Sequence, residues 1–256
     1  MNKYIKYAIT IALAALAVTC FILFELVHLQ LVEDPITNTL LSRTIYHLAL
    51  CALFIWLAII LNSIPYLTFK YTTIKGLLWC LPCLLVALVN FPYSGLITKA
   101  VSIDRLDLMG LYILYVISIA ILEELVFRGI LVFLLLDVFR RQRYNYFLAV
   151  LISSLAFSLF HFTNLFIGMD LVSVLLQVIY TFLIGAMLAV TVLKTKNVWL
   201  CVIIHAIFDF GGLLTGEIAS GSPWDMTFWI LTISCGILCA GHIIVSLMNL
   251  ERKHVS

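Results

Sequence analysis

The side chains best suited to chemistry in this sequence are six ionisable residues that lie within apolar stretches. Three occur in the string EELVFR, one ends the string FSLFH, and two lie in HAIFD. In chain order they are Glu123, Glu124, Arg128, His161, His205 and Asp209. Carboxylates and imidazoles can transfer protons or bind metal ions. Because an ionisable group in an apolar environment is costly, each of the six is a candidate functional residue.

The spacing within EELVFR distinguishes its two glutamates. Glu124 and Arg128 are four residues apart with the acid first, which places them on one helix face in the favourable order for an ion pair. Glu123 lies roughly 100° further round the helix, where no opposite charge shares its face. We therefore predict that Glu124 and Arg128 neutralise each other, and that Glu123 contacts a residue on another helix.

Two further pairs repeat the four-residue spacing. His205 and Asp209 share one helix face, so Asp209 can orient the imidazole or share whatever that imidazole binds. Phe157 places an aromatic ring one helical turn before His161. Among the other histidines, His47 and His242 lie near the ends of apolar stretches, where packing or solvated roles are expected.

The chain that carries these residues has the composition of a membrane protein. Of its 256 residues, 64% are apolar and 11% are charged, against roughly 45–50% and about 25% in soluble domains. A soluble globule of this composition would lack polar residues for its surface. The long uncharged stretches also exclude disordered, fibrous and nucleic-acid-binding chains. The sequence predicts an all-α, polytopic membrane protein.

Apolar windows of about 17–25 residues mark helices that can cross a bilayer. The qualifying windows are 7–24, 44–62, 76–94, 110–136, 146–167, 171–193, 197–215 and 226–248. We therefore expect a bundle of about eight transmembrane helices, the first of them a retained anchor. Its parts are helices one to three (1–107), a core of helices four to seven (108–215), and helix eight with a short cytoplasmic tail (216–256).

Two local features refine this pattern. Pro82 should kink the third helix, because proline removes a backbone donor and its ring collides with the preceding turn. Gly185 and Ala189 are four residues apart in the sixth helix, a spacing that permits close contact with a neighbouring helix.

Basic residues concentrate in alternate loops between these windows. One side holds Lys3, Lys6, Lys70, Lys75, Arg140, Arg141, Arg143, Lys194, Lys196, Arg252 and Lys253. The opposite loops hold only Arg43, Lys99 and Arg105, together with most of the acidic residues. Because cytoplasmic loops carry the excess of lysine and arginine, both termini are expected in the cytoplasm.

The helical rise places the ionisable residues at similar depths in the bilayer. Counted from the nearest cytoplasmic basic residues, Glu123, His161 and Asp209 lie roughly 20–27 Å deep, with His205 one turn shallower. These depths agree within about two helical turns. We therefore expect one polar centre inside the membrane, built from three helices.

These residue types suit the hydrolysis of an amide bond. That reaction needs a base beside the attacking water, donors for the tetrahedral oxygen and a proton for the leaving amine. The same side chains could instead hold a divalent metal such as zinc, with Glu123, His161, His205 and Asp209 as ligands. No HExxH string occurs, and the spacing leaves both mechanisms open.

Other classes of function are also compatible with the residues. Intramembrane carboxylates and histidines form proton relays, so a proton-coupled transporter or a non-catalytic immunity-type membrane protein is an alternative. Cys80 and Cys83 in the string WCLPC have the spacing of a redox dithiol, which leaves a membrane thiol oxidoreductase as a less favoured hypothesis. Serine nucleophiles are disfavoured, because Ser153, Ser154 and Ser158 lack a GxSxG or Ser/Lys arrangement.

The three strings match E-E-x-x-x-R, F-x-x-x-H and H-x-x-x-[N/D], in that order, on membrane helices. This pattern resembles the CPBP family of intramembrane proteases, which includes type II CAAX prenyl endopeptidases and bacteriocin-immunity-associated Abi proteins. The resemblance covers about residues 108–215. It implies an endopeptidase in a bacterial cell membrane, acting inside the lipid bilayer on a hydrophobic, prenylated or leader-type peptide.

The resemblance also implies roles for the residues of the first two motifs. Glu123 would be the general base that activates a water, with His161 as its partner on that water. Glu124 and Arg128 would form a structural pair, and Phe157 would be a further structural residue around the site.

For the third motif, the resemblance implies that His205 and Asp209 stabilise the oxyanion. An ionised Asp209 would repel that oxyanion, whereas the asparagine found in part of the family would donate to it. Asp209 is therefore expected either to be protonated or to orient His205. The resemblance favours a glutamate mechanism without a metal or other cofactor over a metal-dependent one.

Overall fold

The computed structural model describes Thr19 and residues 29–60, 73–166 and 168–255. The predicted span 7–24 and the basic residues Lys3, Lys6 and Lys70 lie outside these described residues. Within them the regular structure is helical apart from two short strands, which agrees with the predicted all-α class.

The helices follow one another with short connections. They are α1 (Pro35–Ile60), α2 (Ile74–Trp79), α3 (Leu81–Val89), α4 (Tyr93–Ile97), α5 (Met109–Glu124), α6 (Val132–Val138), α7 (Asn145–Phe160), α8 (Leu171–Thr195), α9 (Val198–Gly212), α10 (Leu214–Glu217) and α11 (Met226–Val255). A π-helical turn, Leu125–Leu131, joins α5 to α6, and a 3-10 turn, His161–Leu165, extends α7. The strands are β1 (Val101–Ile103) and β2 (Ala219–Gly221).

Four helices in the described part of the chain are long and apolar enough to cross a membrane. They are α1, α7 with its 3-10 turn, α8 and α11. The apolar stretch that contains α3 and α4, and helix α9, are shorter. Windows 44–62, 146–167, 171–193 and 226–248 are therefore confirmed as long apolar helices.

The predicted single helix over 76–94 is wrong, because the chain breaks there into three short helices. Helix α2 ends at Trp79, and Pro82 lies in the first turn of α3, where a backbone N–H has no intrahelical acceptor and its absence in proline costs nothing. Pro92 then precedes α4. Proline starts new helices in this segment rather than kinking one long helix.

Helix α1 begins nearer the N-terminus than the apolar window predicted. The Asp34 carboxylate accepts from the backbone N–H of Thr37 at 2.8 Å, which fixes the first turn. Arg43, predicted in an outer loop, therefore lies within α1, and its Nη1 is 3.7 Å from Glu217 Oε1. The window missed residues 35–43 because threonine, asparagine, serine and arginine interrupt their apolar residues.

The small side chains of α8 allow it to approach α7 closely. A Cβ added at Gly185 would lie 3.1 Å from the Phe157 ring and 3.2 Å from Ser154, so only glycine fits without displacing a neighbour. Ala189, one turn later, is fully buried. The predicted close packing at Gly185 and Ala189 is therefore confirmed.

Helix α5 packs between α1 and α9, while α3 packs against α9 and α11. At one end of the bundle, β1 and β2 pair antiparallel, with Val101 opposite Gly221. Beside them Arg105 pairs with Asp34 and with Asp107, each at 3.0 Å. The hydrogen bonds of Arg105 lower the pKa of Asp107. These contacts tie the start of α1 to the segment that leads into α5.

Candidate active site

The two neighbouring glutamates at the end of α5 occupy different environments. Glu124 is fully buried, whereas the side chain of Glu123 keeps 15% of its surface exposed. The wide π-helical turn begins directly after them and carries Arg128. Single π-helical turns inside α-helices frequently occur at functional sites. Glu123 is therefore the carboxylate of this pair that a substrate or a water can reach.

Arg128 and Glu124 form the ion pair that their spacing predicts. Arg128 Nη1 donates to Glu124 Oε1 at 2.7 Å, and both side chains are buried. The second terminal nitrogen, Nη2, donates to the Gly185 carbonyl at 3.4 Å. The guanidinium also lies 4.3 Å from the centre of the Phe157 ring, a cation–π contact. The pair therefore connects the π-helical turn to α7 and α8.

Glu124 also contacts His205, a contact that the sequence did not predict. His205 Nδ1 lies 2.8 Å from Glu124 Oε1, the oxygen that already accepts from Arg128. Because the Arg128 guanidinium can only donate and pairs with Glu124 as a carboxylate, we assign the proton of the second hydrogen bond to His205 Nδ1. Glu124 thus holds the imidazole in a fixed orientation, with Nε2 directed away from the ion pair.

The second ring nitrogen of His205, Nε2, lies near the two remaining carboxylates. His205 Nε2 lies 3.5 Å from Glu123 Oε2 and 3.4 Å from Asp209 Oδ2. The partner of Glu123 is therefore on another helix, as predicted, and Asp209 contacts the imidazole one turn before it. Glu123, His205 and Asp209 form an electrostatically coupled group at the edge of the buried pair.

His161 adjoins this group through an aromatic ring. The Phe157 ring makes T-shaped contacts with both imidazoles, with centroid distances of 5.0 Å to His161 and 5.9 Å to His205. His161 Nδ1 lies 3.0 Å from the Phe157 carbonyl, which can only accept, so Nδ1 carries a proton. Its partner within the described residues is thus a carbonyl of its own helix, and Nε2 is left for chemistry.

The serines before His161 serve the backbone of α7. Ser153 and Ser154 donate to the Val150 carbonyl, and Ser158 donates to the Leu155 carbonyl. A hydroxyl that bonds to the preceding turn of its own helix has no base to activate it. These contacts agree with the expectation that the serines are not nucleophiles.

The two outlying histidines make packing contacts. His47 is buried in α1, with Nδ1 3.1 Å from Ser118 Oγ and its ring stacked on Tyr115. His242 lies on α11 with Nε2 3.1 Å from the Trp79 carbonyl, and its ring packs on the indole. Both contacts join helices away from the carboxylates.

Cys80 and Cys83 of WCLPC are free thiols that are not joined by a disulfide bond. Cys83 Sγ lies 4.0 Å from the thiol of Cys239 on α11 and 3.7 Å from Thr191 Oγ1. Cys80 and Cys83 are both buried as free thiols in the apolar core. Their surroundings are those of packing residues, which weighs against the thiol oxidoreductase hypothesis.

The four possible metal ligands are not arranged as a coordination sphere. Among the described residues, no three histidine, cysteine or acidic side chains are placed to share one ion. The spacing of the described side chains therefore does not fit a bound metal.

Comparison with known families agrees with the motifs. Residues 105–211 match the family described as Type II CAAX prenyl endopeptidase Rce1-like. This segment contains all six ionisable residues of the candidate site. The resemblance to CPBP proteases and the identification of the chain as a protease are therefore confirmed at the level of this domain. No curated protein and no solved structure gives a significant match to the chain.

Removal of Arg128 should destabilise the fold as well as the site. Arg128→Ala leaves Glu124 as a buried carboxylate without its cation, a loss of about 3–5 kcal/mol. We expect a lower melting temperature in detergent and a lower yield of membrane-inserted protein. Arg140→Ala is the matched control, because Arg140 and Asp137 form an exposed pair at 3.7 Å, and such pairs contribute about 0–1 kcal/mol. Wild-type stability of Arg128→Ala would contradict the structural role.

Proposed function

We propose that this Rce1-like domain hydrolyses a peptide bond within the membrane, using a water activated by Glu123. The observation that carries the proposal is the division between the adjacent glutamates. Glu124 is buried, with its Oε1 bonded to both Arg128 and His205, while Glu123 is partly exposed and lies 3.5 Å from His205 Nε2. Two carboxylates in contrasting environments are typical of sites where one has a structural role and the other transfers protons.

The charges of the cluster favour one added proton. With Glu123, Glu124 and Asp209 ionised, the positive charges of Arg128 and a protonated His205 leave one negative charge uncompensated. A proton on one outer carboxylate makes the cluster neutral, which a low-dielectric environment favours. Since Glu123 must be ionised to act as a base, we assign this proton to Asp209.

In this scheme Glu123 accepts a proton from water as the water oxygen attacks the scissile carbonyl carbon. The negative charge that develops on the carbonyl oxygen is stabilised by His205 Nε2–H and by the protonated carboxyl of Asp209. The C–N bond then breaks, and Glu123 returns its proton to the leaving amine. A neutral carboxyl at 209 removes the repulsion that an ionised aspartate would exert.

His161 is the second residue that we assign to the attacking water. Its Nδ1–H is engaged with the Phe157 carbonyl, so the free Nε2 can accept a hydrogen bond from the water. The Phe157 ring packs against both imidazoles in T-shaped contacts, and the Arg128 guanidinium lies over the same ring. We therefore treat Phe157 as a packing residue that fixes the separation between His161 and His205.

The substrate class that we propose is a hydrophobic, prenylated or leader-type peptide. A peptide bond must enter the apolar bundle to reach Glu123, and a lipidated or apolar segment enters at the lowest desolvation cost. Around the site we propose about eight membrane helices, divided as 1–107, 108–215 and 216–256, in a bacterial cell membrane. The four long apolar helices in the described residues support this arrangement.

Glu123→Gln should abolish peptide cleavage and leave the fold intact, because the amide has the same shape but cannot accept the proton. Loss of a general base lowers kcat by roughly 10²- to 10⁴-fold. The assay is cleavage of a quenched fluorescent peptide that carries a farnesylated CAAX sequence. Asp137→Asn, which changes an exposed acid on the following helix, is the control.

The wild type should also retain activity after chelation of metal ions. Loss of activity on chelation, with recovery when zinc is added back, would overturn the proposed mechanism.

Asp209→Asn tests the assigned proton. A neutral amide can donate to the oxyanion as the protonated carboxyl does, so kcat should stay within about tenfold of the wild type or rise. Asp209→Ala removes the donor and should lower kcat by roughly 10²- to 10³-fold. Equal loss in both variants, measured with the same peptide, would show that the carboxylate itself is required.

The charge distribution predicts that both termini face the cytoplasm, in keeping with an even number of spans. Protease-sensitive tags placed before residue 1 and after residue 256 should both be protected in intact cells and cleaved after the membrane is permeabilised. A tag inserted after Lys99, in a predicted outer loop, is the accessible control. Cleavage of only one terminal tag in intact cells would require an odd number of spans.

A further inference from the structure

The last turn of α9, which carries Asp209, is held by two side chains from other helices. Carbonyls in the last turns of a helix can accept hydrogen bonds from side chains of other segments. The Tyr112 hydroxyl of α5 donates to the Phe210 carbonyl at 2.7 Å, and the Asn90 side-chain amide donates to the Phe208 carbonyl at 2.8 Å. Asp209 lies between these two anchored residues.

The chain around Asn90 also packs directly against the backbone of α9. A Cβ added at Gly211 would lie 2.6 Å from Phe91 Cα, and one added at Gly212 would lie 2.8 Å from Asn90 Nδ2. The rings of Phe91 and Phe210 are stacked, with a centroid distance of 5.8 Å and an interplanar angle of 7°. The turn that ends α3 therefore contacts the last turn of α9 over several atoms.

The contact of Asn90 with α9 differs from the contacts among the ionisable residues of the site. Asn90 directly follows α3 and lies outside the segment that matches the family. Its amide bonds to main chain and touches none of the ionisable residues, so it can influence them only through the position of α9. Small displacements of reacting groups cost large factors in rate, because productive geometry must be held within a fraction of an ångström.

We propose that Asn90 is a positioning residue, which fixes the end of α9 so that Asp209 stays against His205 Nε2. The inference rests on the proposed function, since it assigns both residues to oxyanion stabilisation. Without the amide, the Phe208 carbonyl loses its second donor and the last turn of α9 can shift. The Asp209 Oδ2 to His205 Nε2 distance of 3.4 Å would then no longer be fixed.

The main test compares two asparagines that serve the same helix. Asn90→Ala removes the contact beside Asp209, whereas Asn197→Ala removes the N-cap, in which the Asn197 side chain accepts from Trp199 N–H at 2.8 Å. Both changes should lower thermal stability by similar amounts. With the farnesylated peptide, kcat should fall roughly 10- to 100-fold in Asn90→Ala alone, with KM unchanged. Equal kcat values for the two variants would overturn the proposal.

Two glycines provide a second route that leaves Asn90 in place. Gly212→Ala places a methyl group against Asn90 Nδ2 and should displace the amide, so it should reproduce the kcat loss of Asn90→Ala. Gly216→Ala is the matched control, because a Cβ there meets no atom within 4 Å. Wild-type kcat in Gly212→Ala, or a matching loss in Gly216→Ala, would contradict the positioning role.

A spectroscopic readout separates this inference from the proposed function. In protein labelled with ¹³C-histidine, the His205 resonance, assigned with His205→Gln, should shift in Asn90→Ala and Gly212→Ala. It should not move in Asn197→Ala or Gly216→Ala. If the wild type cleaves no peptide, the proposed function fails, and these shifts alone decide whether Asn90 positions the site. An unchanged resonance in Asn90→Ala would overturn the inference.

Discussion

A charge cannot be buried alone in an apolar bundle, and the contacts of Glu124 meet this constraint. Its Oε1 atom accepts from Arg128 at 2.7 Å and from His205 at 2.8 Å, within a site that is almost completely buried. Arg128 in turn uses the Gly185 carbonyl and the Phe157 ring. The orientation of five helical segments, α5, the π-helical turn, α7, α8 and α9, is thereby linked to the compensation of one carboxylate. The same contacts hold the imidazole that faces the exposed glutamate.

Two identical side chains at adjacent positions acquire different properties from this arrangement. Helix geometry turns Glu124 toward the ion pair and Glu123 toward the partly exposed edge, and the π-helical turn that follows carries Arg128 to Glu124. Asp209 adds a third carboxylate next to His205. Such a concentration of negative charge in an apolar environment is tolerable only when protons or cations balance it. For this reason the protonation of Asp209 is central to the proposed chemistry.

The remote parts of the fold keep these helices in register. Gly185 lets α8 approach α7, while Gly211 lets α9 approach the turn that ends α3. At one end of the bundle, the strands and the contacts of Arg105 tie the segment before α5 to the start of α1. Each of these contacts limits how far a helix that carries the reactive groups can rotate or slide.

The sequence by itself determined the membrane class, four of the long apolar helices and the side-chain pairs spaced four residues apart. Glu124 with Arg128, and His205 with Asp209, follow from helical geometry alone, because residues four apart share a face. Only the tertiary structure decided the contacts of Glu124 and Glu123 with His205 and of Asn90 with α9. These contacts depend on the rotation and depth of each helix. Close packing at glycines and helix breaks at prolines set both quantities. Apolar periodicity carries no information about either quantity.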